Sequence, residues 1–196
     1  MDAATITLPP ALQLSIDLTD EQFFQLCQNN RDLRFERTAS GELIIMPPTG
    51  GETGNKNFEV TVQLGNWNKQ YNLGKGFDSS CGFKLPNGAV RAPDAAWVKL
   101  ERWQALSQEQ RRKFLPLCPD FVVELRSPTD ALKQIQAKMQ EYIDNGARLG
   151  WLIDADARRV EIYRPNLDVE ILENPLALSG EDVLPDFVLD LSSIWA

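Results

Sequence analysis

The segments RAPDAAWV (91–98) and PDFVVELRSP (119–128) decide the fold of this chain, because each places one acidic residue beside an apolar run. Asp94 opens the first run, and Glu124 lies between valine and leucine in the second. A carboxylate in such surroundings is costly to bury unless a cation or a hydrogen-bond donor compensates it. Alternation along 121–126 puts Glu124 and Arg126 on the same face of a strand. We therefore expect two strands whose acids meet a compensating group.

A helix expected over 129–145 supplies a candidate cation. At about 100° per residue, its apolar side chains form one buried stripe, and Lys138 lies about 40° from Tyr142 at the edge of that stripe. Lys133 lies more than roughly 90° from the centre of the stripe and points to solvent. Lys138 can therefore bury its stem and present its ammonium beside the sheet, although an ordinary snorkelling lysine would have the same pattern. Two carboxylates with a lysine are the minimum set for holding a divalent metal over a phosphodiester.

The remaining patterns predict an α+β (mixed α/β) fold, in which helices flank a central mixed sheet. At 196 residues we expect a single domain, 1–196, with an irregular segment over 1–18. A capping box starting at Thr19 predicts a helix to about Asn29. The other predicted helices are 53–71 and 101–114, and the predicted strands are 34–37, 43–46, 82–85, 94–98, 121–126, 151–154, 160–163 and 169–172.

The long helix over 53–71 has two apolar sides. Its main stripe follows helical spacing through Val60, Leu64, Trp67 and Tyr71, which is typical of a core-facing surface. Phe58 and Val62 lie on the opposite side, so we expect this helix to be covered on two faces.

Residue usage excludes several kinds of chemistry. The chain has no histidine, so Ser-His-Asp catalysis, Cys-His catalysis and a typical His-containing zinc site are excluded. Three scattered cysteines, Cys27, Cys81 and Cys118, argue against a disulfide framework and for a reducing compartment. We see neither a secretory signal nor an apolar run of membrane-spanning length, and we expect a cytoplasmic protein without a membrane partner.

The charge balance leaves two interpretations open. A net charge of −8 argues against a non-specific nucleic-acid binder. Basic residues nevertheless cluster before Glu124, at Arg91, Lys99, Arg102, Arg111, Arg112 and Lys113. Such a run is either a solvated helix face or a local stripe that contacts phosphates.

Several motifs occur in a fixed order along the chain, and this ordered set is more specific than any one of them alone. They are GELIIMPP (41–48), RAPD (91–94), ELRSP (124–128), Lys138 with Tyr142, and Gly146 followed by WLID (151–154). Together they resemble the Uma-two family of restriction-endonuclease-like proteins, within the PD-(D/E)XK nuclease superfamily, over most of the chain. A lone Pro-Asp pair would mean nothing, since three occur here.

The resemblance implies a restriction-endonuclease-like core with three catalytic residues. Asp94 and Glu124 would bind a divalent metal, Mg²⁺ or Mn²⁺, and Lys138 would be the third residue, placed on the following helix. The superfamily usually has a lysine two residues after the glutamate, where this chain has Arg126. Arginine is effectively never deprotonated and cannot act as a base, so Arg126 would hold a phosphate or pair with Glu124.

Two further residues join the predicted site through the resemblance. Family members often have a histidine early in the first long helix, and Asn57 occupies that region here. Glu42, in the Gly-Glu-Leu piece, is a candidate additional acid, with a solvated hairpin carboxylate as the alternative. We assign Glu42, Asn57 and Arg126 to substrate binding.

The implied function is metal-dependent hydrolysis of phosphodiester bonds in DNA by an endonuclease. A homodimer would suit cleavage of both strands of a duplex. One alternative is a catalytically silent nucleic-acid-binding or regulatory module that contacts phosphates through Arg91, Arg102, Arg111 and Arg112. Another is a scaffold protein in which Glu124, Arg126 and Lys138 form a buried ion network.

Overall fold

A computed structural model describes residues 12–46 and 48–196 of the chain. The helices are α1 (Asp20–Asn29), α2 (Gly51–Tyr71), α3 (Leu100–Ala105), α4 (Gln108–Arg111) and α5 (Leu132–Asp144). The strands are β1 (Leu12–Ser15), β2 (Arg34–Arg37), β3 (Glu42–Met46), β4 (Gly74–Asp78), β5 (Phe83–Lys84), β6 (Val90–Arg91), β7 (Ala95–Lys99), β8 (Phe121–Leu125), β9 (Leu149–Asp154), β10 (Arg159–Tyr163), β11 (Glu170–Glu173), β12 (Ala177–Ser179) and β13 (Val188–Asp190).

The central sheet has the strand order β11-β10-β9-β8-β7-β4. β8 and β9 run parallel, and the other neighbours in this sheet run antiparallel. The helix α5 connects the two parallel strands and packs on one face of the sheet through Met139 and Tyr142, while α2 packs on the other face through Val60 and Leu64. Every residue of β8 is buried because both faces of the sheet are covered. The mixed sheet and its flanking helices confirm the predicted fold class.

A second sheet positions the site. Its order is β1-β3-β2-β6-β5, and it packs with α1 around Phe23, Leu43 and Val90. The chain leaves this sheet at β6 and enters the central sheet at β7 after only three residues, 92–94. Asp94 therefore lies at the junction of the two sheets.

Local expectations from the sequence have mixed outcomes. The capping box at Thr19 is present, and the strands over 34–37 and 43–46 pair as a hairpin. The irregular segment expected over 1–18 is wrong for residues 12–15, which pair with β3, while residues 1–11 lie outside the described part. The helix expected over 101–114 is two short helices, because Leu106 adopts an extended backbone and Ser107 begins a new capping box. The helix expected from 129 begins instead after Ala131, which makes no side-chain cap.

The expectation that α2 is covered on two faces is wrong at Phe58, which is 62% exposed. The stripe of Val60, Leu64 and Trp67 is buried against the central sheet, as its spacing predicts. In the described ranges, no helix is long and apolar enough to cross a membrane.

Candidate active site

Asp94 is held by groups from three different elements. The backbone N–H of Leu125 donates to Asp94 Oδ2 at 2.9 Å, and Asn57 Nδ2 donates to Oδ1 at 3.1 Å. The guanidinium of Arg34 lies 3.8 Å from Oδ1. Burial nevertheless raises the pKa of Asp94 above its ordinary value, and these donors only partly offset it. The ionised form of Asp94 is therefore incompletely compensated.

Glu124 contacts Lys138 and Tyr142 from α5. The ammonium nitrogen of Lys138 lies 2.8 Å from Glu124 Oε1, and the Tyr142 hydroxyl donates to the same oxygen at 3.0 Å. Burial raises the pKa of Glu124 to about 7, because the attraction of Lys138 does not outweigh burial and the repulsion from Asp94 and Glu36. Glu124 therefore changes protonation state near neutral pH.

Glu36 is a site residue that the sequence reasoning did not single out. It lies in β2, is almost fully buried, and its Oε1 lies 2.7 Å from the Lys138 ammonium. Oε1 also accepts a hydrogen bond from the Ala92 N–H at 3.0 Å, and Oε2 pairs with Arg91 at 3.1 Å. Burial opposes ionisation, but Lys138 and Arg91 hold the pKa of Glu36 below its ordinary value. The sequence around Glu36, RFER (34–37), does not predict that its side chain is buried. Alternation along a four-residue strand does not show which face packs on the core.

Lys138 bridges Glu36 and Glu124 and stays protonated. Burial disfavours its charge, yet the two carboxylates together raise its pKa above the ordinary value. Lys133, on the same helix, is exposed as its position on the helix predicts. The ammonium of Lys138 can therefore act as a fixed positive charge or a proton donor in a hydrogen bond, and not as a base at neutral pH.

Arg91 is committed to the interior. Its Nε donates to Glu141 Oε2 at 2.6 Å in addition to the pair with Glu36. Arg102 pairs with Asp120 at 3.0 Å. The guanidinium carbon of Arg111 lies 4.9 Å from the centre of the Trp103 ring, and the same guanidinium donates to the carbonyl oxygens of residues 103 and 104. Three of the four arginines that the silent-module alternative requires are thus engaged within the protein.

Arg126 and Glu42 lie apart from the carboxylate cluster. Arg126 pairs with Asp154 at 2.6 Å rather than with Glu124. The side chain two residues after the glutamate, where the superfamily usually has a lysine, therefore points toward the end of β9. It lines a small cleft together with Lys56 and Pro128. Glu42 is exposed at the start of β3, where its N–H bonds to the hydroxyl of Thr38. Of the residues predicted for the site, the structure brings together Asp94, Glu124, Lys138 and Asn57.

The donor set fits a divalent cation that keeps much of its water. In the part of the chain that the structure describes, no group of three or more His, Cys, Asp or Glu side chains is arranged to hold a metal. Mg²⁺, however, commonly uses one or two carboxylates and fills its remaining positions with water or phosphate oxygen. The side-chain oxygen of Asn57 is buried without a hydrogen-bond partner among the described residues, next to Asp94. An oxygen in this condition, beside two under-compensated carboxylates, suits a hydrated Mg²⁺ or Mn²⁺.

Comparison with solved structures gives the same fold. A crystal structure titled as a putative nuclease belonging to DUF820 from Anabaena variabilis ATCC 29413 superimposes with a TM-score of 0.76. The match covers 91% of this chain and 98% of that chain at 17% sequence identity. At that identity the likeness shows the fold alone, which is the mixed α+β architecture described above.

The family follows from the sequence match. The family Uma2, whose description reads "Putative restriction endonuclease", matches residues 20–192. The chain therefore belongs to the Uma2 family. No curated protein sequence matches it.

Proposed function

We propose that this protein is a metal-dependent endonuclease that hydrolyses phosphodiester bonds in DNA at the site of Asp94, Glu124 and Lys138. The observation that carries the proposal is the geometry of one buried cluster, in which Asp94 and Glu124 lie near an amide oxygen of Asn57 that has no hydrogen-bond partner among the described residues. A purely structural ion network would compensate each acid, as it does for Glu36. Burial instead raises the pKa values of Asp94 and Glu124. A divalent cation would supply the missing positive charge.

The residues divide the work by their contacts. Asp94 and Glu124 would hold Mg²⁺ or Mn²⁺, with Asn57 beside them. Such a cation lowers the pKa of bound water and neutralises negative charge that develops on a phosphoryl group. The protonated ammonium of Lys138 orients the attacking water and stabilises the charge of the transition state. Glu36 positions Lys138 through its contact at 2.7 Å.

Tyr142 fixes the carboxylate of Glu124. Its hydroxyl donates to the oxygen that also faces Lys138, so both donors act on Oε1. Oε2 of Glu124 would then serve as the metal ligand. The Tyr142 hydroxyl keeps its proton, because burial and the neighbouring Glu124 and Glu36 raise its pKa well above the ordinary value.

The proposed setting is the cytoplasm, where thiols stay reduced. Cys27, Cys81 and Cys118 are all free, and Cys118 is buried. We propose Mg²⁺ as the cofactor, Mn²⁺ as a substitute, and a homodimer for cleavage of both strands of a duplex.

Cleavage assays test the proposal directly. We expect Asp94→Asn, Glu124→Gln and Lys138→Ala each to lower the cleavage rate by about 10²–10³ or more, since each removes a charged group from the transition state. Lys133→Ala is the matched control on the same helix, and it should cut at the wild-type rate. Rates are measured on plasmid and labelled oligonucleotides with Mg²⁺ or Mn²⁺, and with EDTA as blank. A wild type that cuts no DNA, or catalytic variants that cut normally, would contradict the proposal.

One observation favours a scaffold protein with a buried ion network as the second candidate. Lys138 is paired with both Glu36 and Glu124 within the chain itself, so protein groups alone can hold these three charges together. Thermal melting with Mg²⁺ separates the two, because a ligand of the native state raises stability, by about 2.7 kcal/mol at a hundredfold excess over Kd. The endonuclease predicts a rise in Tm that Asp94→Asn removes. The scaffold protein predicts no rise.

A further inference from the structure

Arg34 lies at the opening of the carboxylate cluster. It begins β2, two residues before Glu36, so both side chains leave the strand on the same face. Its guanidinium nitrogen Nη1 lies 3.8 Å from Asp94 Oδ1. The side chain of Arg34 is 28% exposed, against 11% for Asp94 and 16% for Lys138. Arg34 is therefore more accessible from solvent than Lys138, the other cation that borders the carboxylates.

The guanidinium of Arg34 is weakly engaged within the protein. Among the described residues it makes one hydrogen bond, from Nη2 to the carbonyl oxygen of Ala92 at 3.4 Å. Its contact with Asp94, at 3.8 Å, is too long to be another. Arg91 and Arg126, in contrast, each approach a carboxylate oxygen to 2.6 Å. Arg34 therefore keeps most of its N–H donors for another acceptor.

Two buried atoms without hydrogen-bond partners flank one oxygen of Asp94. In the part of the chain that the structure describes, four buried side-chain nitrogen or oxygen atoms have no such partner. One is Nε of Arg34 and another is Oδ1 of Asn57, and both side chains contact Asp94 Oδ1 through their other atoms. Buried polar atoms without a partner are uncommon in native proteins, and a bound ion is one explanation for them. Their position on either side of Asp94 Oδ1 points to a ligand at this oxygen.

The two atoms need partners of opposite charge. The amide oxygen of Asn57 accepts from a donor or a cation, whereas the Nε–H of Arg34 requires an acceptor. A divalent cation held by Asp94 would serve the amide oxygen, and a phosphate oxygen would serve the guanidinium. Mg²⁺ sites commonly combine one or two carboxylates with phosphate oxygens, and the planar guanidinium fits a phosphate with two parallel hydrogen bonds. A metal-bound phosphate therefore explains both atoms.

We propose that Arg34 binds a non-bridging oxygen of the scissile phosphodiester and is a further catalytic residue of this site. This role rests on the proposed function and identifies the protein group that receives the phosphate. In the hydrolysis, water forms a new P–O bond as the P–O bond to the leaving oxygen breaks, and the proton that the water loses passes to the leaving oxygen or to solvent. Arg34 exchanges no proton, because arginine stays protonated. Its fixed charge stabilises the negative charge that the phosphoryl oxygens carry in the transition state.

Binding of a phosphate without cleavage tests this role directly. The protein with Mg²⁺ is titrated calorimetrically with thymidine 5′-phosphate, and with thymidine as blank. We expect Arg34→Ala to weaken phosphate binding by about 10- to 150-fold, as loss of a hydrogen bond to a charged group predicts, and Arg34→Lys to keep part of the affinity. Arg31→Ala is the charge-matched control and should bind as the wild type does, since Arg31 is exposed and donates to Gln28. Equal affinity of Arg34→Ala and wild type overturns the proposal.

Thermal melting with Mg²⁺ alone separates this role from a purely structural one. If Arg34 acts on the phosphate, Arg34→Ala keeps the Mg²⁺-dependent rise in Tm, because the carboxylates remain, whereas Asp94→Asn removes it. If Arg34 only holds Asp94 in place, both variants lose the rise, and the proposal is overturned. Arg34→Gln keeps most of the length of the side chain and replaces Arg34→Ala if the alanine variant does not fold.

Cleavage separates failure of this role from failure of the function. On DNA that the wild type cuts, we expect Arg34→Ala to lower kcat by about 10- to 150-fold, and added guanidinium ion to restore part of the rate in this variant without accelerating the wild type. Equal kcat in the two proteins overturns the role of Arg34 while the endonuclease stands. If Arg34-dependent phosphate binding occurs but neither Mg²⁺ nor Mn²⁺ supports cleavage, the phosphate contact stands and hydrolysis falls. A protein that neither binds the phosphate nor cuts DNA overturns both.

Discussion

Glu36 and Glu124 share one cation, yet their pKa values shift in opposite directions. Both carboxylates are buried, and both contact the ammonium of Lys138, at 2.7 and 2.8 Å. Glu36 also receives Arg91 and the Ala92 N–H, and its pKa is lowered. Among the residues that the structure describes, Glu124 has in addition only the neutral hydroxyl of Tyr142 as a donor. It is repelled by Asp94, and its pKa is raised to about 7.

This contrast shows that burial alone does not decide which carboxylate is suited to bind a metal. The part of the cluster around Glu36 in β2 is electrostatically compensated, because each charge there has a partner of opposite sign. The half formed by Asp94 and Glu124 is short of positive charge, which is the condition under which a carboxylate pair recruits a metal. The two halves should therefore respond differently to mutation.

The largest effect should come from the residue that both halves share. We expect Lys138→Met to lower the free energy of unfolding by about 3–5 kcal/mol at pH 8, since two carboxylates lose their buried partner. Lys133→Met, on the exposed side of α5, should change it by less than about 0.5 kcal/mol. Urea denaturation measures both. Equal small effects would show that water already reaches the cluster and that the contrast is unfounded.

Neutralising one carboxylate at a time should give opposite signs. At pH 8, Glu36→Gln should destabilise the protein by about 2–3 kcal/mol, because Lys138 and Arg91 lose a charged hydrogen-bond partner. Glu124→Gln should stabilise it while abolishing cleavage, because an uncompensated buried charge disappears. Denaturation curves at one pH compare the two variants. The contrast fails if both variants shift stability in the same direction.

The pH dependence of that comparison gives a sharper check. Folded Glu124 keeps its proton up to a pKa of about 7, whereas the unfolded chain releases it near 4.5. Its contribution to stability is therefore complete below pH 4.5 and is lost as the pH rises to 7. The advantage of Glu124→Gln over wild type should grow across this window, by about 3 kcal/mol at most, and level off above it. A flat difference between pH 4.5 and 8 would mean that the pKa of Glu124 is not raised in the folded protein.

The smallest effect should come from Arg126, outside the cluster. Its pair with Asp154 is partly exposed, with 28% of the arginine side chain open. Such pairs contribute about 0–1 kcal/mol, so Arg126→Ala should cost no more than that. Cleavage should fall by less than tenfold, because Arg126 does not contact Glu124. A loss of cleavage rate as large as that of Lys138→Ala would show that Arg126 contacts the substrate and belongs to the active site.

Patterns within one element were readable from the sequence. Helical spacing placed Lys138 beside Tyr142 at the edge of the buried stripe and Lys133 in solvent, and the structure confirms both. The capping box at Thr19 and the alternation that turns Glu124 to one face are equally local. Each depends on backbone geometry over a few residues, which the order of residues determines directly.

Partners across elements were decided only by the tertiary structure. Glu36 meets Lys138 across 102 positions because a second sheet is joined to the central sheet at residues 92–94. Arg91 proved to be interior, Arg126 turned to Asp154, and Phe58 stayed exposed, although their sequence patterns suggested otherwise. A charge's partner and a side chain's burial depend on which surfaces pack together. Local periodicity identifies the apolar face of an element but not the surface against which that face packs.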